Sequence, residues 1–101
     1  MSTRQVAELG STLNKDPEVI SLDPELLGDV LEDIRRVGRA TDRDDTAESL
    51  TGQLQGRIDS VTKRAAQSTH RPKVLQLEWA DPLLCGGHWV VEMVERAGGE
   101  S

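Results

Sequence analysis

The sequence predicts an α/β chain that is rich in helix and contains a few parallel strands. Two short apolar runs, residues 18–22 and 74–79, lie between prolines and have the length of strands. Two longer segments, residues 26–37 and 44–66, repeat apolar residues at three- and four-residue steps, the period of a helix that faces a core. Strands that alternate with helices favour parallel pairing. Because two strands are too few for a stable sheet, we expect neighbouring molecules or further parts of a larger domain to complete it.

Composition limits the classes of function. The 101 residues include 36% apolar residues, no Phe or Tyr, and a net charge of −6, so the core is small and the surface repels nucleic acid. The single cysteine cannot form an internal disulfide. No apolar run approaches the roughly 18 residues of a membrane span, and the N-terminus lacks the layout of a signal peptide. We therefore expect neither a nucleic-acid partner nor a membrane-spanning segment.

The first half of the chain predicts a short helix, a turn, a strand and a helix. Residues 3–9 have enough apolar side chains for two helical turns, and residues 14–17 have the composition of a turn. Residues 18–22 are interpreted as a buried strand. The run 23–25, Asp-Pro-Glu, is a typical helix start, because Asp caps free amides and Pro fits the first helical position. Gly38 is the expected left-handed stop of that helix.

Residues 44–66 predict one long helix with a thin apolar seam. The seam is formed by Ala47, Leu50, Leu54, Ile58, Val61 and Ala65. A seam this narrow indicates a surface strut or one member of a helix pair, since a helix of a full core carries a broader stripe.

The last third of the chain, residues 71–99, predicts a strand, a Gly-rich loop and a helix. The strand covers residues 74–79, the loop 81–88, and the helix starts at Trp89 and stops at the two glycines 98–99. Both tryptophans and the only cysteine lie in this unit. Ligands of open α/β sheets gather at loops that follow the carboxyl ends of strands, so this unit holds the candidate site.

The same residues resemble a known family. The run RPKVLQLEWADPLLCGGHWVVEMVERAGG is similar to the start of the second lobe of periplasmic-binding-protein-like proteins of the cobalamin and iron-siderophore type, which serve ABC transporters. The shared features are the Pro-x-Val strand, Glu78-Trp79 before Asp81-Pro82, Gly87-His88-Trp89 and Ala97-Gly98-Gly99. Upstream, residues 19–24 with Asp29-Val30, and residues 37–41, resemble the end of the first lobe.

The resemblance implies a fragment of a two-lobed fold. Residues 1–43 would end the first lobe, residues 44–67 would form the long helix between the lobes, and residues 68–101 would start the second lobe. Family members are considerably longer, so we expect the opening strands of the first lobe and most of the second lobe to be missing. A cleft that needs both lobes would then be incomplete.

The resemblance also implies a function. It predicts the solute-binding component of an ABC-type uptake system, with cobalamin or an iron siderophore as the transported ligand, a permease as partner and no enzymatic activity or cofactor. Such proteins work outside the cytoplasmic membrane, although this sequence shows no leader. The alternative is a structural fragment that self-associates through open sheet edges and binds no ligand. If the chain is expressed as this fragment, we expect a homo-oligomer, because unpaired strand edges seek partners.

Four residues are the candidate ligand contacts: Glu78, Trp79, His88 and Trp89. The indoles offer broad contact area at low entropic cost, but both also fit as packing residues in a chain poor in aromatics. Glu78 either faces the cleft, caps the helix that follows, or pairs with an arginine such as Arg71. His88 either contacts the ligand, where it could ligate a metal alone or weakly with Glu92 at i+4, or is a helix cap or packing residue. That spacing is common by chance, so no metal site is predicted. No set of nucleophile, base and oxyanion donors can be assembled around Cys85.

Overall fold

The chain forms a flat assembly of helices with one small hairpin. The computed structural model describes residues 2–13 and 17–101. The elements are α1 (Thr3–Gly10), α2 (Leu27–Ala40), α3 (Asp44–Ala65), β1 (Leu77–Ala80), β2 (Leu83–Cys85) and α4 (Trp89–Arg96). The predicted short first helix, the long helix and the last helix are confirmed. Of the predicted turn at residues 14–17, residues 14–16 lie outside the described part.

The predicted strand at residues 18–22 is wrong. Residues 17–25 run in extended or irregular conformation without strand pairing, and all of residues 17–22 except Ile20 are exposed. The segment lies against α2, where the Arg36 guanidinium donates to the carbonyl oxygen of Ser21 at 2.9 Å. An extended run becomes a strand only when another strand supplies ladder partners, and the described chain places none beside it.

The buried centre lies where α2 crosses α3. Leu31 on α2 and Ala47 on α3 are each 5% exposed, and Thr51 is fully buried. Gly38 was expected to end α2, but it is buried inside this helix. A Cβ atom on Gly38 would lie 2.5 Å from the Ala47 Cβ and 3.1 Å from the Arg43 carbonyl oxygen. Gly38 therefore allows α2 and the start of α3 to approach closely.

The strands pair differently from the prediction. β1 and β2 form an antiparallel hairpin, and β2 occupies part of the segment predicted as a loop. Within residues 2–13 and 17–101, parallel pairing is limited to one bridge, between Lys73 and Glu100, with Val74 N donating to Glu100 O at 2.8 Å. Of the predicted strand 74–79, residues 77–79 belong to β1, whereas residues 74–76 form no strand and Val74 bonds to the chain end.

The overall shape is a single layer. The principal extents are 58 × 40 × 13 Å and the Cα radius of gyration is 18.1 Å, whereas a compact chain of this length has a radius of about 13 Å. A thickness of 13 Å is about one helix diameter. Stable domains pack two or three layers around one core, so this layer leaves large apolar side chains exposed.

Candidate functional site

The hairpin presents Trp79 to solvent. The Trp79 side chain is 62% exposed, and its Nε1 donates to the carbonyl oxygen of Asp81 at 2.7 Å. This bond holds the polar edge of the indole against the turn and leaves the ring faces open. A large aromatic surface held in a fixed orientation suits contact with a flat or apolar ligand. Trp79 therefore does not lie in a core of this chain, and packing against another lobe stays the alternative to ligand contact.

Glu78 lies at an irregularity of the hairpin. Leu77 pairs with Cys85 and Trp79 pairs with Leu84, so Glu78 is the extra residue of a bulge. Bulges bend a strand and change the direction of a side chain. Glu78 is exposed. The arginine considered as its partner, Arg71, instead donates to the carbonyl oxygen of Gly99 at 3.2 Å.

His88 and Trp89 meet at the start of α4. Their ring centroids are 6.1 Å apart and the ring planes are inclined by 31°. His88 occupies the N-cap position, but its side chain makes no capping hydrogen bond. Its φ of 52° is uncommon for a residue with a Cβ atom. His88 is exposed and Trp89 is half-buried, so one indole of the chain is open and the other is partly packed.

The structure thus groups the four predicted residues into two pairs on one continuous unit. Glu78 and Trp79 lie on β1, and His88 and Trp89 lie at the head of α4. Cys85 ends β2 as a free, exposed thiol. Across residues 2–13 and 17–101, no group of three or more His, Cys, Asp or Glu side chains is placed to hold a metal ion.

Sequence reasoning missed a concave feature away from these four residues, an apolar groove of about 470 Å³ where α2, α3 and α4 meet. It is lined by Leu27, Val30, Leu31, Leu54, Arg57, Ile58, Val61, Met93, Arg96 and Ala97. The thin seam of α3 and the apolar stripe of α2 are both visible in the sequence. That α4 completes the groove could not be read from periodicity, because it depends on the tertiary path of the chain.

Sequence reasoning also missed a polar link across this groove. The backbone amide of Leu27, the first residue of α2, donates to Glu92 Oε1 on α4 at 2.8 Å. Arg96 Nε donates to Glu92 Oε2 at 2.9 Å. The Leu27 amide is the largest cause that lowers the pKa of Glu92 below its ordinary value, and Arg96 adds to it, whereas partial burial opposes them. The carboxylate is therefore held in its charged form.

With the fold described, its class follows from a comparison with known structures. The chain is similar to the crystal structure of an ABC transporter substrate-binding protein from Listeria monocytogenes EGD-e, with a TM-score of 0.74 and 26% sequence identity. The match covers 97% of this chain and 37% of that protein. The fold is therefore that of a fragment of a periplasmic-binding-protein structure.

The chain belongs to the periplasmic binding protein family, whose sequence model matches residues 1–101. This confirms the predicted family and the helix-rich, fragmentary fold. No curated protein shows significant similarity to the chain. Within the described ranges, no helix has both the length and the apolar character that crossing a membrane requires.

Proposed function

We propose that the chain contributes to the solute-binding component of an ABC-type uptake system and that it binds without catalysis. The proposal divides the chain into three segments of a two-lobed fold. Residues 1–43 end a first lobe, residues 44–67 form the helix between lobes, and residues 68–101 begin a second lobe. The ligand lies in the cleft between the lobes, the binding component works outside the cytoplasmic membrane, and the permease of the ABC transporter receives the ligand from it.

The observation that carries the proposal is the exposed hairpin face. The chain has two tryptophans and no Phe or Tyr, and yet the Trp79 side chain is 62% exposed. Exposing an indole forgoes the stabilisation of burying it, roughly 150–250 Å² of surface, and contact with a ligand in the cleft would recover that stabilisation. Glu78, His88 and Trp89 lie on the same unit and would complete one wall of the cleft.

The transported ligand that we propose is cobalamin or a ferric siderophore. Both are large, flat or rounded molecules with apolar faces and polar edges. The open faces of Trp79 suit the apolar surface, and the Glu78 carboxylate, exposed beside it, suits a polar or cationic edge. Shape and aromatic contact rather than bond chemistry would give the specificity.

The proposal is tested by titrating cyanocobalamin and a hydroxamate ferric siderophore against the chain. Tryptophan fluorescence and equilibrium dialysis are followed in parallel, because a coloured ligand also absorbs emitted light. We expect saturable binding that Trp79→Ala weakens at least about tenfold, since a stacked aromatic contributes on the order of 1.4 kcal/mol or more. Leu83→Ala is the matched control, because Leu83 is 66% exposed on the same hairpin.

Self-association remains the second candidate, and one observation favours it. Every residue of β1 and β2 is exposed, and Leu75 and Leu83 are 70% and 66% exposed. Isolated hairpins are marginal, and open edges pair with other chains. Gel filtration of the titrated samples separates the candidates. No dialysis binding together with an oligomer that dissociates on dilution supports self-association, whereas a compact monomer at every concentration, including the highest, contradicts it.

A further inference from the structure

Two carboxylates, Asp29 and Glu92, accept hydrogen bonds from backbone amides at the N-terminus of α2. Asp29, within α2, accepts from the amides of Glu25 and Leu26 at 3.2 and 3.0 Å through Oδ2. The next amide, of Leu27, is bonded instead by Glu92, which lies 65 residues later in the sequence. The first amides of a helix have no partner inside it, and the positive end of its dipole attracts a carboxylate. Glu92 therefore acts as a capping group that α4 supplies to α2.

Glu92 is held in place for this contact. Its side chain is 19% exposed and forms an i,i+4 ion pair with Arg96 at 2.9 Å. A charge-assisted hydrogen bond on each carboxylate oxygen fixes both the position and the rotation of the group. Three charged groups belong to the surrounding elements: Asp29 on α2, Arg96 on α4, and Arg57 on α3, which lines the adjoining groove.

The polar link spans an otherwise open contact. Between α2 and α4 lies the apolar groove, lined from the two sides by Leu27 and Met93, and Met93 is 51% exposed. Side chains that do not fill a groove leave the angle between its walls poorly determined. The Leu27–Glu92 bond is thus the contact best suited to define how α4 sits on α2.

We propose that Glu92 is a positioning residue, a clasp that sets the orientation of α4, and with it the hairpin unit, relative to α2. This inference rests on the proposed function, in which α2 and α4 belong to opposite lobes. There, the clasp would set the width of the cleft that the hairpin lines. The clasp itself is a property of the free chain and can be measured without any solute.

Protonation would weaken the clasp, because a neutral carboxyl loses the Arg96 ion pair and the charge assistance of its bond to the Leu27 amide. Because the contacts lower the pKa of Glu92 from its ordinary value of 4.5, the stabilisation is fully present above pH 4.5. It is lost as the pH falls through the lower value of the folded chain. Glu92→Gln reproduces the neutral state at neutral pH and keeps the size of the side chain.

The test measures distances between spin labels at Val37 on α2 and Glu95 on α4, with Cys85→Ser as background. We expect Glu92→Ala and Glu92→Gln to shift or broaden this distance distribution by on the order of 2 Å or more. The distance from Val37 to a label at Gln53 on α3 should stay unchanged, which a general loss of structure would not allow. Glu100→Ala, an exposed carboxylate near the chain end, is the control that should change neither distance.

A second variant tests the donor. Leu27→Pro removes the amide hydrogen at the first position of α2, where proline is favoured. Leu26 already has φ −117° and ψ 165°, as a residue before proline requires. The clasp predicts that Leu27→Pro shifts the α2–α4 distance and that adding Glu92→Ala to this variant causes no further shift. Leu27→Ala is the control: it keeps the amide donor, so adding Glu92→Ala should shift the distance as it does in the wild type.

An α2–α4 distance distribution that is the same in wild type, Glu92→Ala and Glu92→Gln would overturn the clasp. So would full additivity of Leu27→Pro and Glu92→Ala. The label distances are measured without solute, so a failed solute titration contradicts the proposed function but not the clasp. The two proposals can therefore fail separately.

Discussion

Leu31→Ala is expected to destabilise the chain by about 2–5 kcal/mol, the range for deleting a buried leucine side chain. Leu31 is 5% exposed and belongs to the small buried centre between α2 and α3. A chain with so small a core has little stability in reserve, so we expect a large loss of helix at room temperature. Urea unfolding followed by circular dichroism measures the effect.

The matched control for this substitution is Leu50→Ala. Leu50 lies on α3 and is 43% exposed, so its deletion leaves no closed cavity and should cost less than about 1 kcal/mol. Equal losses from the two substitutions would mean that the α2–α3 contact is not the stabilising centre of this fold.

Gly38→Ala is expected to destabilise the chain by about 2 kcal/mol. Alanine favours a helix by up to about 1 kcal/mol over glycine, but here the new methyl group would lie 2.5 Å from the Ala47 Cβ. The nearby Arg43 carbonyl oxygen, at 3.1 Å, is backbone and cannot move aside by changing a rotamer. Overpacking of this kind costs about 1–3 kcal/mol or more, so the two helices must separate. Thermal unfolding measures the change.

Gly52→Ala is the same substitution in open space. Nothing lies within 4 Å of a Cβ atom at Gly52, so only the helix preference acts and the variant should be more stable by up to about 1 kcal/mol. The two alanine substitutions thus have opposite expected signs. A stabilised Gly38→Ala chain would contradict the close approach of α2 and α3.

Local sequence signals predicted the helices well. The bounds of α3, Asp44–Ala65, agree with the predicted segment because its apolar seam and acidic first turn are local. The start of α2 was predicted two to three residues early because the Asp-Pro pair imitates a helix start. The role of Gly38 was misjudged for a different reason, since close helix contact and a left-handed stop both select glycine.

Strands were predicted less well because a strand depends on its partner. Residues 18–22 have the composition of a buried strand but no neighbour in the described chain, so they stay extended. β2 was missed because Leu83–Cys85 is short and lies in a segment with the proline and glycines of a loop. A sheet also needs a second layer to pack against. That packing depends on the whole fold, so short-range sequence patterns do not predict it.

The candidate site was predicted in part. The sequence located the unit that carries both tryptophans, and the structure describes Glu78, Trp79 and His88 as exposed on it. Their contact with a ligand stays a prediction. The Glu92 clasp could not be foreseen, because its donor is the backbone amide of Leu27 and an amide leaves no mark in the sequence.

The central claim is that the hairpin presents the Trp79 indole outward. Acrylamide quenching of single-tryptophan variants, Trp89→Phe and Trp79→Phe, tests it on dilute monomer. We expect the chain that retains Trp79 to emit at longer wavelength and to be quenched more strongly than the chain that retains Trp89. A blue-shifted, protected Trp79 in the monomer would contradict the account, because a residue buried in the chain's own interior cannot line a cleft.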